Sequence, residues 1–347
     1  MSIRENILLQ EKKNLSPLAA CAADSLGRER PEAEDPIRTA YMRDRDRVIH
    51  SKAFRRLKHK TQVFISPGSD HYRTRLTHTL EVNQIAKTIG RALNLNLDLI
   101  EAIALAHDVG HTPFAHCGEE VLNRRIKTGF KHNENSLRVL KRIEAHGDRR
   151  GLNLTQEVLD GVLHHSGFSA AGEAMTLEGQ IIRFADKIAY VQHDIDDTVR
   201  AGLLSEADLP DAYTNVLGHS LSERLTTLVE DLVQEGLHLD FRPDGGLPKL
   251  SFSEPVHRAL TGLRAFLFKV VYTGDVCQKE RERASFVVDF LFSYYMKHPE
   301  KMPTFYQQLA ALDGREQGVA DYISGMTDNF CIALFKDLTL PRSFIGL

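Results

Sequence analysis

Apolar residues recur along this chain at the three- and four-residue steps of an α-helix, and only rarely at the two-residue step of a strand. From Arg73 to Leu93 the positions Leu76, Leu80, Ile85, Ile89 and Leu93 trace one helical stripe, closing near Gly90 and the polar Asn94-Leu95-Asn96. The segment after it, ending in Ala102-Ile103-Ala104-Leu105-Ala106, is apolar nearly all round. Asp98 is its expected N-cap, because a carboxylate there can accept from the free amides of the first turn. Gly110 and Pro113 end that run, and Cys117 to Ile126 predicts a new helix. His132-Asn133-Glu134-Asn135 stands at the mouth of the next, and Thr155 to His165 and Glu178 to Val199 read as amphipathic helices flanking a small, Gly-containing loop from Ser166 to Thr176. Beyond Gly202 further amphipathic helices follow, broken by Arg242-Pro243-Asp244-Gly245-Gly246-Leu247-Pro248 and closed by a Phe- and Tyr-rich end. Runs of β-branched residues are too short to build a sheet, so the expected fold is all-α in one body, without internal repeats.

Within this pattern the pair His107-Asp108 is out of place, since an imidazole and a carboxylate follow directly on an apolar run. Neighbouring side chains on a helix point about 100° apart, so both reach one ion only where the helix ends, and Gly110 supplies that end. Buried polar groups of this kind require a partner, and a divalent cation is a suitable one. His78 upstream and Asp186 downstream lie on separate predicted helices. Two imidazoles and two carboxylates converging from three helices suit Mn, Mg, Fe, Ni, Co or Zn and leave positions open for water. A lone histidine is more often a hydrogen-bonded core residue, but most of the sixteen histidines crowd between residues 71 and 193. His116 and Glu119, three apart, share a helix face on which the carboxylate can hold the imidazole. Tyr190 follows Asp186 by one turn, and Asp194 continues that row.

Composition narrows the reading. With 347 residues the chain is long enough for a substantial core, and a net charge of -3 gives no global pull toward nucleic acid or anionic membrane. A local basic stripe does exist: Arg38, Arg43, Arg45, Arg47, Lys52, Arg55, Arg56, Lys58 and Lys60 stand against only Asp44 and Asp46. It is either a solvated helix face, a subunit interface or a second nucleotide site. Cys21, Cys117, Cys277 and Cys331 form no CxxC pair, which argues against a disulfide framework and a thiolate zinc site. Met1 to Lys13 is charged throughout, and no apolar run approaches the roughly 20 residues of a membrane span, so a soluble, cytoplasmic protein is expected. Pro31 to Pro36 is acidic and proline-bearing, with an extended or poorly ordered segment expected before it.

The histidine, the His-Asp pair and the distal aspartate resemble the signature of the HD superfamily of metal-dependent phosphohydrolases. By that resemblance the metal ligands are His78, His107, Asp108 and Asp186. Arg73-Thr74-Arg75-Leu76-Thr77-His78, the run from His107 to His116, Phe184-Ala185-Asp186-Lys187-Ile188-Ala189-Tyr190 and Arg55-Arg56-Leu57 are similar to dGTPase-like deoxynucleoside triphosphate triphosphohydrolases. The likeness is strong over residues 38 to 200 and returns at Asp321-Tyr322-Ile323-Ser324-Gly325-Met326-Thr327-Asp328, for which no chemical role is derived.

The resemblance implies that a metal-activated water attacks the α-phosphorus, releasing deoxynucleoside and inorganic triphosphate. It assigns His116 to proton donation with Glu119 behind it, and places His111 and His132 around the α-phosphate, where either could instead orient a ligand. Arg75 and Lys187 become phosphate contacts, Tyr190 and Asp194 sugar-side contacts, and Gln62 a neighbour of the deoxyribose. It implies a homo-oligomer, with a nucleotide effector or single-stranded nucleic acid as a further partner. Three regions are expected: an N-terminal basic helical segment over 1–70, the HD core over 71–200, and a C-terminal helical region over 201–347 packed on it. Two other functions compete: another HD phosphohydrolase, and a catalytically silent regulator that binds nucleotide or nucleic acid. No Gly-Tyr-Pro follows the pair, as a cyclic-dinucleotide enzyme would have, and Val-Gly-His stands where tetraphosphate hydrolases carry Glu-Asp. A pure binding module has no need of an open metal site.

Overall fold

The helical stripes fold as helices in a computed structural model, which describes residues 1–62, 72–146, 149–166, 172–244, 246–272 and 275–341. The described helices are α1 (Ile3–Asn14), α2 (Ala40–Ile49), α3 (Lys52–Arg56), α4 (Arg75–Ala92), α5 (Leu97–Ala106), α6 (His116–Arg125), α7 (His132–Arg138) and α8 (Gln156–His164). They continue with α9 (Leu177–Arg200), α10 (Asp211–Leu217), α11 (Leu221–Leu237), α12 (Glu254–Leu267), α13 (Asp275–Lys297), α14 (Thr304–Asp313), α15 (Arg315–Ser324) and α16 (Asp328–Thr339). Among the described residues the strands are two residues long, Ala145–His146 paired antiparallel with Arg149–Arg150. The all-α expectation is met. Residues 167–171 of the loop expected from Ser166 to Thr176, and the Phe64 to Gly68 segment beside Gln62, lie outside the described residues.

The all-round apolar segment becomes α5, the central rod. Leu99, Ile100, Ala102, Ile103, Ala104, Leu105 and Ala106 are all buried, which a helix achieves only when neighbours cover every side. Those neighbours are α2, α4, α8 and α9. Close approach is sterically enforced: a Cβ on Gly90 of α4 would lie 2.1 Å from Ile100, and one on Gly161 of α8 would lie 2.6 Å from Ile103. Each fully buried Ile or Leu here contributes about 1.5–3 kcal/mol of transfer free energy. Asn96, and not Asp98, caps α5: its side chain accepts from the amides of Asp98 and Leu99 at 3.2 and 3.3 Å. The cap residue needs extended backbone, which Asn96 has at φ −74° and ψ 103°, whereas Asp98 is already inside the first turn.

Two apolar clusters organise the molecule. The larger gathers α2, α4, α5, α8 and α9 together with residues between Leu209 and Leu267. The smaller joins Phe114, Val121 and Leu122, around and within α6, to Val288, Leu291 and Phe292 of α13, Val319 and Ile323 of α15, and Cys331 of α16. The basic stripe is not one solvated face. Arg38 pairs with Asp35 and Asp46, Arg43 and Arg47 with Glu32, Arg45 with Asp98 and Glu101, and Arg56 with Glu144. Apart from Asp46, these counter-ions (Glu32, Asp35, Asp98, Glu101 and Glu144) lie outside residues 38–60, so a charge count within that range missed them. The acidic segment 31–36 is likewise tied down, through Glu32 and Asp35.

Candidate active site

Because α5 ends at Ala106, His107 caps it and Asp108 and His111 fall in the turn that follows. The turn packs against α7: the Gly110 amide donates to Ser136 Oγ at 3.0 Å, Ser136 Oγ donates to the His107 carbonyl at 2.8 Å, and a Cβ on Gly110 would lie 2.1 Å from the Ser136 nitrogen. Glycine is therefore needed here for room. His78 arrives on α4 and Asp186 on α9. The ligand atoms of His78, His107 and Asp108 lie within 4.8 Å of one another. Asp186 Oδ1 stands 3.0 Å from His78 Nε2 and 3.9 Å from His107 Nε2.

Asp108 divides the neighbourhood. Its Oδ2 lies 2.5 Å from Arg75 Nη1, 3.6 Å from His107 Nε2 and 3.8 Å from His78 Nε2. Its Oδ1 lies 3.8 Å from both His111 Nε2 and His165 Nε2. Burial works to raise the Asp108 and Asp186 carboxyls, but the imidazoles around them, with Arg75 beside Asp108, hold both well below the usual carboxylate range. Desolvation depresses His111 and takes His165 down to about 3, so both rings are neutral bases.

Four polar atoms in this region are buried without a hydrogen-bond partner among the described residues: His107 Nε2, His111 Nδ1, Arg75 Nε and Gln62 Oε1. Buried polar atoms are nearly always paired, so four orphans around one cavity describe a place built for a ligand. The residues fit a divalent ion. His107 Nδ1 lies 2.6 Å from the Ala104 carbonyl and carries the proton toward it, leaving the Nε2 lone pair bare and facing two carboxylates.

A second group stands beside the first. Phe114 and Ala115, with φ of 59° and 53°, turn the chain sharply so that α6 starts on His116. Glu119 on α6 accepts from His116 Nδ1 at 3.1 Å, from His132 Nδ1 at 2.9 Å and from the His132 amide at 2.8 Å. Burial opposes ionisation of Glu119, yet the two imidazoles pull its carboxyl far down; Glu119 in turn raises His132 against the pull of desolvation. His111 stacks on His132 with ring centroids 4.2 Å apart.

Both groups border a cavity of about 400 Å³ lined by Gln62, Arg75, His78, Asp108, His111, His116, His132, Asp186, Lys187 and Tyr190 from the sequence expectations, with His107 and Glu119 behind the lining. His165, Ser166 and Arg264 also line it, and the sequence reading had given them no role. His165 was visible only as one histidine of the crowd; Arg264 lies on α12, in a stretch with no motif. Asp194 is buried a turn beyond Tyr190 and is not part of the lining.

The tail motif acquires a structural place. Asp328 Oδ1 accepts from the Phe114 amide and Oδ2 from the Thr61 amide, both at 2.9 Å. The ammonium of Lys60 donates to the carbonyls of His111 and Ser324, and Asp321 holds Arg138 at 2.6 Å. Burial, with Arg56 nearby, brings Lys60 down to about 7.

A helical body that places a His-Asp pair, an upstream histidine and a downstream aspartate around one cavity defines an HD-type phosphohydrolase. Residues 75–191 match the HD domain, and residues 250–337 match the phosphohydrolase-associated domain. Proteins called deoxyguanosinetriphosphate triphosphohydrolase-like from Clostridium tetani and Clostridium perfringens (strain 13 / Type A) are each 53% identical, covering 99% of this chain and 98% and 99% of their own lengths. One of the same description from Caldanaerobacter subterraneus is 51% identical over 98% of this chain and 97% of its own. The chain belongs to the deoxyguanosinetriphosphate triphosphohydrolase-like family of HD-domain hydrolases. Among the described residues, no helix is long and apolar enough to cross a membrane.

Proposed function

We propose that this protein hydrolyses deoxynucleoside triphosphates to deoxynucleoside and inorganic triphosphate. Water attacks the α-phosphorus, a new P–O bond forms, the bond to the 5′ oxygen breaks, and that oxygen leaves with a proton. His78, His107, Asp108 and Asp186 would hold a divalent ion, which withdraws charge from phosphoryl oxygens and acidifies water. Arg75 and Lys187, joined by Arg264, face the polyphosphate. His111 and His132 stand beside the α-phosphate, and the His116 imidazole, oriented by Glu119, delivers the proton to the departing 5′ oxygen. Gln62 Oε1, buried and without a partner among the described residues, accepts from a sugar hydroxyl, and Tyr190 flanks the sugar.

The observation that carries this reading is that Gln62, Arg75 and His111, each with an orphaned buried atom, line one cavity, with the orphaned Nε2 of His107 facing the Asp108 and Asp186 carboxylates of that same lining. The test is product identification from a mixed dNTP pool with Mn or Mg. Inorganic triphosphate in equal amount to deoxynucleoside is expected; monophosphate or pyrophosphate as the anionic product overturns the α-phosphorus assignment.

A further inference from the structure

His78 presents two nitrogens to two different surroundings. Nε2 faces Asp186 Oδ1 at 3.0 Å and Asp108 Oδ2 at 3.8 Å, while Nδ1 faces His193 Nδ1 at 3.2 Å, the rings meeting edge to face at 80°. Two ring nitrogens at that separation share one proton, so one ring donates and the other accepts. The direction is set beyond His193, whose Nε2 contacts Glu81 Oε2. A carboxylate only accepts, so His193 Nε2 bears the hydrogen and its Nδ1, in a neutral ring, is a bare lone pair. His78 must then donate through Nδ1, and its Nε2 can offer a lone pair to a cation held between it and the two aspartates, which as carboxylates only accept.

The groups facing His193 agree with a neutral ring. It is 2% exposed, with the His78 ring on one side and the Arg73 guanidinium sharing its carboxylate on the other. Arg73, the one charged residue of its motif to which the sequence assigned no task, binds Glu81 through Nε at 3.2 Å and reaches Asp196 at 2.6 Å and Asp197 at 2.9 Å through Nη1. Glu81 lies one turn after His78 on α4, and α9 inserts His193 between them. His107 settles the same question with the carbonyl of Ala104, a backbone group that no side-chain change removes. The two imidazoles of the centre thus have independent supports.

We propose that Glu81 and His193 are positioning residues that fix the proton of His78 on Nδ1 and so make its Nε2 a metal-binding atom. This rests on the reading of His78 and His107 as ligands. Partners behind a ligating histidine typically change metal affinity by roughly 10–100-fold, usually from a carboxylate in direct contact. Here a second imidazole stands between ligand and carboxylate.

The test is manganese(II) affinity of the full chain, measured by competition against a graded chelator, with the melting temperature of the metal-stripped protein recorded in parallel. His193→Phe keeps an aromatic volume without an acceptor. His193→Gln restores a carbonyl that accepts from His78 and an amide that donates to Glu81. Glu81→Met acts at a side chain 40% exposed and removes the final acceptor. Expected are a loss of roughly 10–100-fold for His193→Phe and a smaller loss for Glu81→Met, with His193→Gln near the starting affinity and melting of the stripped proteins unchanged. His193→Phe binding as tightly as the parent overturns the proposal, as does His193→Gln losing as much as His193→Phe. If His193→Phe fails to fold, Glu81→Met against His193→Gln decides it. His107→Ala separates the two readings: loss of manganese there with retention in His193→Phe leaves the metal reading standing and removes the positioning role, whereas no binding by the parent removes both.

Discussion

At His116 electrostatics and position coincide, because one carboxylate, Glu119, grips both this ring and that of His132 while the His116 side chain stays 44% exposed toward the cavity. General acid catalysis of this kind contributes about 10²–10⁴-fold, so His116→Ala is expected to lower kcat by that order with metal content unchanged. Unaltered kcat would remove the proton-donor role. Lys187 makes a pH prediction. Burial, with Arg183 beside it, brings its ammonium down to about 8, so the free enzyme loses this charge as pH rises through that value. A neutral amine attracts the polyphosphate less, and kcat/KM should fall above about pH 8. In Lys187→Arg the fall should vanish, because a guanidinium remains charged to a pKa of about 12 or more; persistence of the same alkaline limb would exclude Lys187 as its source. The residues proposed to hold an ion, which the structure brings together, stood out in the sequence because ligand chemistry demands specific side chains and Gly110 marks where the backbone bends. His193, Glu81 and Arg264 were not, since an imidazole behind an imidazole or a lone arginine on a helix has no pattern of its own.

Among the elements, the junction before α16 does what the motif from Asp321 to Asp328 could not disclose as a string. Asp328 binds the amides of Phe114 and Thr61, next to the turn that launches His116 and next to Gln62, and Lys60 joins the His111 carbonyl to that of Ser324. The junction between α15 and α16 therefore ties together three separate pieces of chain beside the cavity. Periodicity had placed the helices from α4 to α9, but it reports only that a helix has an apolar side, not which loop its terminal carboxylate reaches across more than two hundred residues. Asp328→Ala would leave two buried amides without acceptors, a loss of about 1–3 kcal/mol for each unsatisfied group. Urea unfolding should register the destabilisation. At temperatures where the variant remains folded, kcat should drop while manganese is retained, since none of the four proposed ligands is touched. Full activity in a folded variant would show that the cavity wall does not depend on this clamp.

The whole molecule places its cavity where the two apolar clusters meet. His78, Asp186, Lys187 and Arg264 come from α4, α9 and α12 of the larger cluster, and His116 from α6, whose Val121 and Leu122 belong to the smaller. The match to the HD domain ends at residue 191, but the site does not: Arg264 and Asp328 both lie within the phosphohydrolase-associated region. A chain ending at residue 272 keeps the proposed metal ligands and strips α6 of its cover from Val288, Leu291, Phe292, Val319 and Ile323. The apolar surface so exposed would no longer be removed from water, and loss of each large side-chain contact removes about 1.5–3 kcal/mol of burial. Such a chain is therefore expected to aggregate or to expose its apolar surface to a hydrophobic dye, and to show no turnover even with excess manganese. If instead it is soluble, melts cooperatively and hydrolyses dNTPs at the parent rate, the site belongs to the larger cluster alone and the smaller one has no part in shaping it.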